Sequence, residues 1–255
     1  MTTGLEAKQT ISVRTYDAWL FDLDGVITDT ASVHGEAWKK TFDEYLKKVA
    51  ERDGDDFEPF EIDPDYFEYV DGKPRYEGVD SFLRSRGIEI PWGTPDDAPG
   101  EETVCGVGNQ KNILFNEILQ SRGADIFDST VSLIRELRKH GIKVAVVSSS
   151  KNCTTILDVA NLSDLFDLQI DGVVAAAEGI AGKPQPDTYV EAANRLGVAV
   201  DRSVVIEDAI SGVQAGRAGN FGLVLGIARH DEPEVLVNNG ADIAIRDMAE
   251  ISISD

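Results

Sequence analysis

The chain holds two cysteines, Cys105 and Cys153, in 255 residues. They lie far apart and form neither a CxxC pair nor any zinc-ligand spacing. A disulfide framework is therefore excluded, and two free thiols in a reducing compartment are expected. Long apolar runs are missing too. No stretch reaches about 18 apolar residues, so no membrane span is expected. The opening MTTGLEAKQT has neither a basic region nor an apolar one, so no secretory signal is read and a cytoplasmic location is expected. Positive charge is scarce: 24 Lys and Arg face 46 Asp and Glu, a net charge of −22. Such a chain repels a phosphate polyanion, which argues against nucleic acid as a partner. A small phosphorylated ligand fits if the few cations gather at one site. There is no GxSxG and no Walker motif, and no internal repeat. The GVGNQK run at 106–111 lacks the third glycine of a dinucleotide fingerprint and follows no clear strand.

Hydrophobic residues make up 42% of the chain, enough to build a core. The stretch around which the rest is arranged is DAWLFDLDGVITDT, residues 17–30. Its apolar run, 18–21, stops at Asp22, Leu23, Asp24 and Gly25. That pattern is a buried strand running into two carboxylates and a turn. Residues i and i+2 of an extended chain share a face, so two anions roughly 5–7 Å apart need a cation or a proton between them. A solvated strand end is the plain alternative for these residues alone.

Residues 1–14 read as a polar, frayed leader. Apolar spacing predicts a helix over 30–48, with Thr30 or Ser32 as its cap, an acidic loop over 51–66, and helices over 77–86 and 111–121. From about 125 the rhythm becomes strand–helix alternation. Strands are expected at 143–148, 169–174, 203–207, 221–227 and 242–245, with helices at 130–140, 152–161, 187–196, 210–218 and 232–238. This pattern means a parallel sheet covered on both faces, which the opening strand joins. The fold class is α/β: a Rossmann-like parallel sheet core, residues 1–30 and 123–255, with an α-helical cap, residues 31–122, inserted after the first strand.

Ligands of such sheets bind beyond the carboxyl ends of the strands. There the sequence places Asp22 and Asp24, then Ser148, Ser149, Ser150, Lys151 and Asn152, then Glu207 and Asp208. Lys183 sits in the GKPQPD loop. Four carboxylates with oxygen ligands alone suit Mg²⁺, which pairs with substrate phosphate. Ser148 and the N–H groups after it suit an anion. An aspartate can attack phosphorus and carry an aspartyl-phosphate. Singly, Lys183 reads as a surface lysine, Ser148–Ser150 as a helix cap and Asp208 as an N-cap. Their joint occurrence at successive strand ends is what points to phosphoryl transfer. His34, on the first cap helix, has packing as its default role. His140 is accounted for by a helix C-terminus, and His230 is assigned nothing.

The ordered set FDLDGVITDT, VVSSSKN, GKPQPD and VIEDAISGVQAGRAG resembles the haloacid dehalogenase superfamily, and within it the β-phosphoglucomutase-like group. The resemblance implies that Asp22 is nucleophile and Mg²⁺ ligand. Asp24 is then general acid/base, with its carbonyl on the metal, and Asp208 a ligand with Glu207 beside it. Ser148, Ser149 and Lys183 hold the transferring phosphate. ITDTASVHGEAW looks like the group's hinge and first cap helix, placing Thr30, His34 and Trp38. The segment 72–75 resembles the one whose arginine, here Arg75, grips a second phosphate. Ser150, Lys151 and Asn152 look like that phosphate's core contacts, and Lys111 with Asn112 like a polar pair facing the sugar. The cap is longer here, at 51–65 and 88–106, and Asp208 is followed by alanine where the group suggests serine.

The resemblance implies Mg²⁺-dependent phosphoryl transfer on a small sugar phosphate; a monomer is the default expectation, since the core can stand alone. The activity the resemblance implies is that of the β-phosphoglucomutase-like group or, alternatively, of a sugar-phosphate phosphatase. A phospho-accepting signalling module also combines acidic strand ends, a hydroxyl and a lysine, but needs neither Asp24 nor a cap of roughly 90 residues.

Overall fold

The computed structural model describes residues 8–70, 73–229 and 232–255, with Phe67 in backbone alone. Residues 1–7 of the expected leader, Gly72 of the arginine segment and the unassigned His230 lie outside the described residues. The chain divides into two compact units, Met1–Asp29 with Ala124–Asp255, and Thr30–Gly123.

The first unit opens with β1 (Gln9–Ser12), β2 (Ala18–Phe21) and β3 (Thr28–Asp29). The second holds α1 (Ala31–Asp53), a wide kinked helical turn over Ile62–Val70, α2 (Arg75–Ser85) and α3 (Val104–Arg122). The first unit resumes with β4 (Asp125–Ile126), α4 (Asp128–Lys139), β5 (Lys143–Val147), α5 (Cys153–Val159) and β6 (Leu168–Ile170). Next come α6 (Gly172–Glu178), α7 (Asp187–Leu196), β7 (Ser203–Glu207) and α8 (Ile210–Ala218). The chain closes with β8 (Leu223–Ile227), α9 (Pro233–Asn238), β9 (Ile243–Ile245) and β10 (Ile251–Ser254).

Six strands form one parallel sheet in the order β6-β5-β2-β7-β8-β9. Every residue of β2, β7 and β8 is buried. Strands covered on both faces lose the alternation of half-buried strands and read as continuous apolar runs, as AWLF and SVVIE do. Leu20, Ala145, Val205 and Val224 pack with Tyr189 and Val213 from the covering helices. The register sets Phe21 opposite Val146 on one side and Ile206 on the other. The first residues past β2, β5 and β7 are therefore polar groups side by side at the carboxyl end of the sheet.

The helical unit is built on aromatic rings. Phe42 lies 4.2 Å from Phe82 and 5.0 Å from Trp38 between centroids, and Phe60 meets Phe82 edge-on at 4.8 Å. The α1 residues Val33, Ala37, Trp38, Phe42, Tyr45 and Leu46 recur at helical spacing and are buried.

Several expectations are corrected. The leader contains β1, which pairs in parallel with the unforeseen β10; two four-residue strands at the chain ends signal too weakly to be read locally. The acidic stretch 51–66 is part helix, since α1 runs to Asp53 and the kinked turn starts at Ile62. Helix α3 begins at Val104, seven residues before expected, because Gly106 and Gly108 mask its start. The strand expected over 169–174 ends at Ile170, and Asp171 caps α6 by accepting from Val173 and Val174 N–H groups. Thr30 is the N-cap of α1, yet it makes no side-chain capping bond. Cys105 and Cys153 are buried free thiols. Among the described residues no helix is long and apolar enough to cross a membrane.

Truncating Ile206→Ala in β7, fully buried, is expected to lower unfolding free energy by about 2–5 kcal/mol. Val173→Ala, 53% exposed on α6, is expected to stay within about 0.5 kcal/mol. Urea unfolding followed by circular dichroism measures both, and equal losses would contradict this layering.

Candidate active site

Strand β2 stays in the ladder one residue past its end, where the Asp22 N–H donates to the Ile206 carbonyl at 3.0 Å. The chain then folds on itself. Ile27 and Thr28 N–H groups donate to the Leu23 carbonyl at 2.8 and 2.9 Å, and Gly25 N–H to the Thr28 carbonyl at 2.8 Å. Leu23, Val26 and Ile27 are fully buried, so this tight turn is held by apolar burial as well as hydrogen bonds.

Lys183 reaches into the same place from the loop ahead of α7. Its Nζ donates to Asp22 Oδ1, to the Val147 carbonyl at 3.1 Å, and pairs with Glu207 Oε1 at 2.6 Å. Glu207 Oε1 also accepts from the Tyr189 hydroxyl at 2.9 Å. Its Oε2 accepts from the N–H groups of Asp208 and Ala209, both at 3.1 Å. Four donors fill the lone-pair capacity of one carboxylate.

One ligand oxygen each from Asp22, Glu207 and Asp208 lies within 4.8 Å of the others. Buried anions this close disfavour one another's charge. Burial, then Glu207 and Asp24, push Asp22 up to about 8 against the opposing pull of Lys183. Burial, then Glu207 and Asp22, hold Asp208 well above the carboxylate range. Burial alone would lower Lys183, but Asp22 and Glu207 hold it well above the ordinary lysine value. One ammonium thus leaves the carboxylates short of positive charge. An all-oxygen donor set with that deficit fits a hard divalent cation.

Two glycines let the carboxylates approach. Gly25 has φ +79°, and a Cβ there would fall inside the Asp208 carboxylate; a Cβ on Gly212 would fall inside that of Glu207. Arg229, just past β8, donates from Nε to the Gly25 carbonyl at 2.7 Å and stacks on Phe127 with its guanidinium carbon 3.5 Å from the ring centroid. The strand-end rule would have found Arg229; Tyr189, on a helix, had no such signal.

Ser148 is buried at the end of β5, and its Oγ accepts from Ser150 N–H at 3.0 Å; Ser150 Oγ accepts from Asn152 N–H at 3.1 Å. These turns lead into α5, which starts at Cys153. Ser149 and Lys151 are exposed there, and Asn152 is half-buried.

The helical unit gathers its own polar set. Lys111, 4% exposed, donates to His34 Nδ1 at 2.6 Å and lies 5.1 Å from the Trp38 ring and 4.7 Å from the Phe115 ring. Burial, then Lys111 and Arg75, hold His34 well below the ordinary histidine value, so the ring is neutral and Nδ1 is an acceptor. Arg75, the first residue of α2, donates from Nη2 to Asn112 Oδ1 at 2.9 Å. Thr30, buried, begins the unit, and its carbonyl accepts from His34 N–H at 2.8 Å.

The family model for haloacid dehalogenase-like hydrolases matches residues 16–220. A β-phosphoglucomutase of Mycobacterium bovis is 49% identical over 92% of this chain and 90% of its own length. A β-phosphoglucomutase of Bacillus subtilis is 30% identical over 92% of each chain. The crystal structure of a Clostridium difficile β-phosphoglucomutase superposes with TM-score 0.68 at 26% identity, covering 92% of each chain. The chain belongs to the haloacid dehalogenase-like hydrolases, and within them to the β-phosphoglucomutase-like group.

Gly25→Ala is expected to displace the Asp208 carboxylate and weaken divalent-cation affinity about 10- to 100-fold. Cation titrations followed by the thermal unfolding midpoint measure this. Unchanged affinity would contradict the close packing of Gly25 on Asp208.

Proposed function

We propose that this chain is a Mg²⁺-dependent mutase that converts β-glucose 1-phosphate to glucose 6-phosphate through an aspartyl-phosphate on Asp22. The observation that carries the chemistry is the buried Asp22–Lys183–Glu207 cluster with Asp208 beside it. The 49% identity to a relative of that name supports the substrate.

In the phosphorylated enzyme, the sugar C6 oxygen attacks phosphorus. The new O–P bond forms as the bond to Asp22 breaks, and Asp24 takes the hydroxyl proton. The resulting 1,6-bisphosphate turns over. An Asp22 oxygen then attacks the phosphorus at C1, the C1–oxygen leaves from phosphorus, and Asp24 returns the proton to it. Lys183 offsets charge on Asp22 and on the moving phosphoryl oxygens, and Ser148 and Ser149 donate to them. Asp22, Asp208 and the Asp24 carbonyl would hold Mg²⁺, which when bound supplies charge neutralisation. Glu207, with its lone pairs engaged, orients Lys183.

A mutase also needs a second anion grip and protection from water. Arg75 is proposed to hold the second phosphate, and Ser150, Lys151 and Asn152 are proposed as further contacts of that phosphate. Thr30 is proposed as hinge, and His34, Trp38, Lys111 and Asn112 as the sugar-facing set. Residues 31–122 act as the cap domain of the core formed by 1–30 and 123–255. A phosphatase would pass the phosphate from Asp22 to water instead. The hydrolase family model that the chain matches supports this second reading.

Phosphorus NMR with Mg²⁺, β-glucose 1-phosphate and a trace of the bisphosphate separates the two. Glucose 6-phosphate is expected to accumulate; inorganic phosphate alone would overturn the mutase. Asp24→Asn is expected to slow turnover by about 10²- to 10⁴-fold, and intact turnover would remove Asp24 from the mechanism.

A further inference from the structure

The group-level resemblance leaves the long segment between α2 and α3 without a role. Its residues are knitted onto the start of α3. Asp97 accepts from Thr94 Oγ1 at 2.8 Å and from Thr103 Oγ1 at 2.6 Å, and Thr103 caps α3 by accepting from Gly106 N–H at 2.9 Å. The N–H groups of Val104 and Cys105 donate to the carbonyls of Pro91 and Trp92 at 2.9 and 3.0 Å. Its far end is tied to α1, where Arg52 pairs with Glu102 at 2.6 Å.

From this loop a chain of contacts runs to Arg75. Asn109 Nδ2 donates to the carbonyls of Pro95, at 3.1 Å, and Asp97, at 2.9 Å. Its Oδ1 accepts from the Tyr76 hydroxyl at 3.0 Å. Both amide hydrogens and the amide oxygen are therefore used, and the network itself fixes which way the amide points. The Tyr76 ring lies against Gly108, where a Cβ would come within 2.8 Å of it and 3.3 Å of Arg75 Cδ. The Arg75 guanidinium sits 5.8 Å from the Tyr76 ring centroid and donates to Asn112. One face of α3, at positions 108, 109 and 112, thus holds the arginine from two sides.

We propose that the 91–103 loop, Asn109 and Tyr76 form a brace that fixes the direction of the Arg75 guanidinium, making Tyr76 and Asn109 positioning residues for the anion Arg75 binds. This rests on the reading of Arg75 as the second-phosphate contact. A free arginine loses rotamer freedom when it grips a phosphate, and its fork must meet the oxygens in one geometry. A brace meets that loss before the ligand arrives, which strengthens binding without touching the ligand.

The test compares the full-length protein with Tyr76→Phe, Asn109→Ala and Arg75→Lys variants. KM for glucose 1,6-bisphosphate is read beside the rate at which acetyl phosphate, which carries a single phosphate and no sugar, phosphorylates the protein. Tyr76→Phe keeps the ring and loses the hydroxyl. It and Asn109→Ala are each expected to raise KM about three- to tenfold, with the acetyl phosphate rate unchanged. The double variant is expected to be no worse than the poorer single one, because both break one chain. If Arg75→Lys raises KM and the brace variants stay within about twofold, the brace is wrong while Arg75 keeps its role. If Arg75→Lys leaves KM unchanged, the second-phosphate reading itself falls, and the brace with it. A loss in both assays for Tyr76→Phe and Asn109→Ala would mark a general structural defect and overturn the positioning role.

Discussion

Lys183 brings its ammonium into contact with the buried carboxylates at the strand ends, and the site depends on it. Its ammonium meets Asp22, Glu207 and the Val147 carbonyl, so a single charge ties three neighbouring strands together at their carboxyl ends. Coulomb energies between unit charges at about 4 Å reach several kcal/mol where water is partly excluded. One cation does not balance the set. Asp22 still sits at about 8 and Asp208 well above the carboxylate range. The remaining imbalance is what a divalent cation relieves. A carboxylate relieved in this way becomes an available nucleophile.

The rest of the core serves that arrangement. The parallel register brings the carboxyl ends of β2, β5 and β7 level, so residues distant in sequence end side by side. Gly25 and Gly212 remove the side chains that would keep Asp208 and Glu207 away. Tyr189 and two backbone N–H groups saturate Glu207, which leaves it as an orienting group for Lys183. Arg229 holds the Gly25 carbonyl from the far side of the loop.

The strands and helices of the sheet were readable because their patterns are long or wholly apolar: β7, α7 and α8 fall where the residues predict them. What escaped has physical causes. β1 and β10 are four-residue strands that pair with each other across almost the whole chain length. The start of α3 hides behind two glycines whose helical role comes from packing on Tyr76 and on the Glu101 backbone. Val173 and Val174 look like strand residues, yet the Asp171 cap wins and turns them into helix. The core polar residues were legible because the strand-end rule selects positions. How Glu207 divides its oxygens was not, since four donors from separate segments decide it. In the helical unit the resemblance named Arg75, Lys111 and Asn112, while Tyr76 and Asn109 carry no sequence signal and emerge from contacts alone.

In the proposed mechanism this charge cluster makes Asp22 the phosphoryl acceptor. That role is tested most directly by intact-protein mass after brief exposure to glucose 1,6-bisphosphate with Mg²⁺, followed by peptide mapping. One added phosphoryl group is expected, located on Asp22 and absent when the cation is chelated. A phosphoryl group that persists in Asp22→Asn, or that forms equally without a divalent cation, would contradict that role.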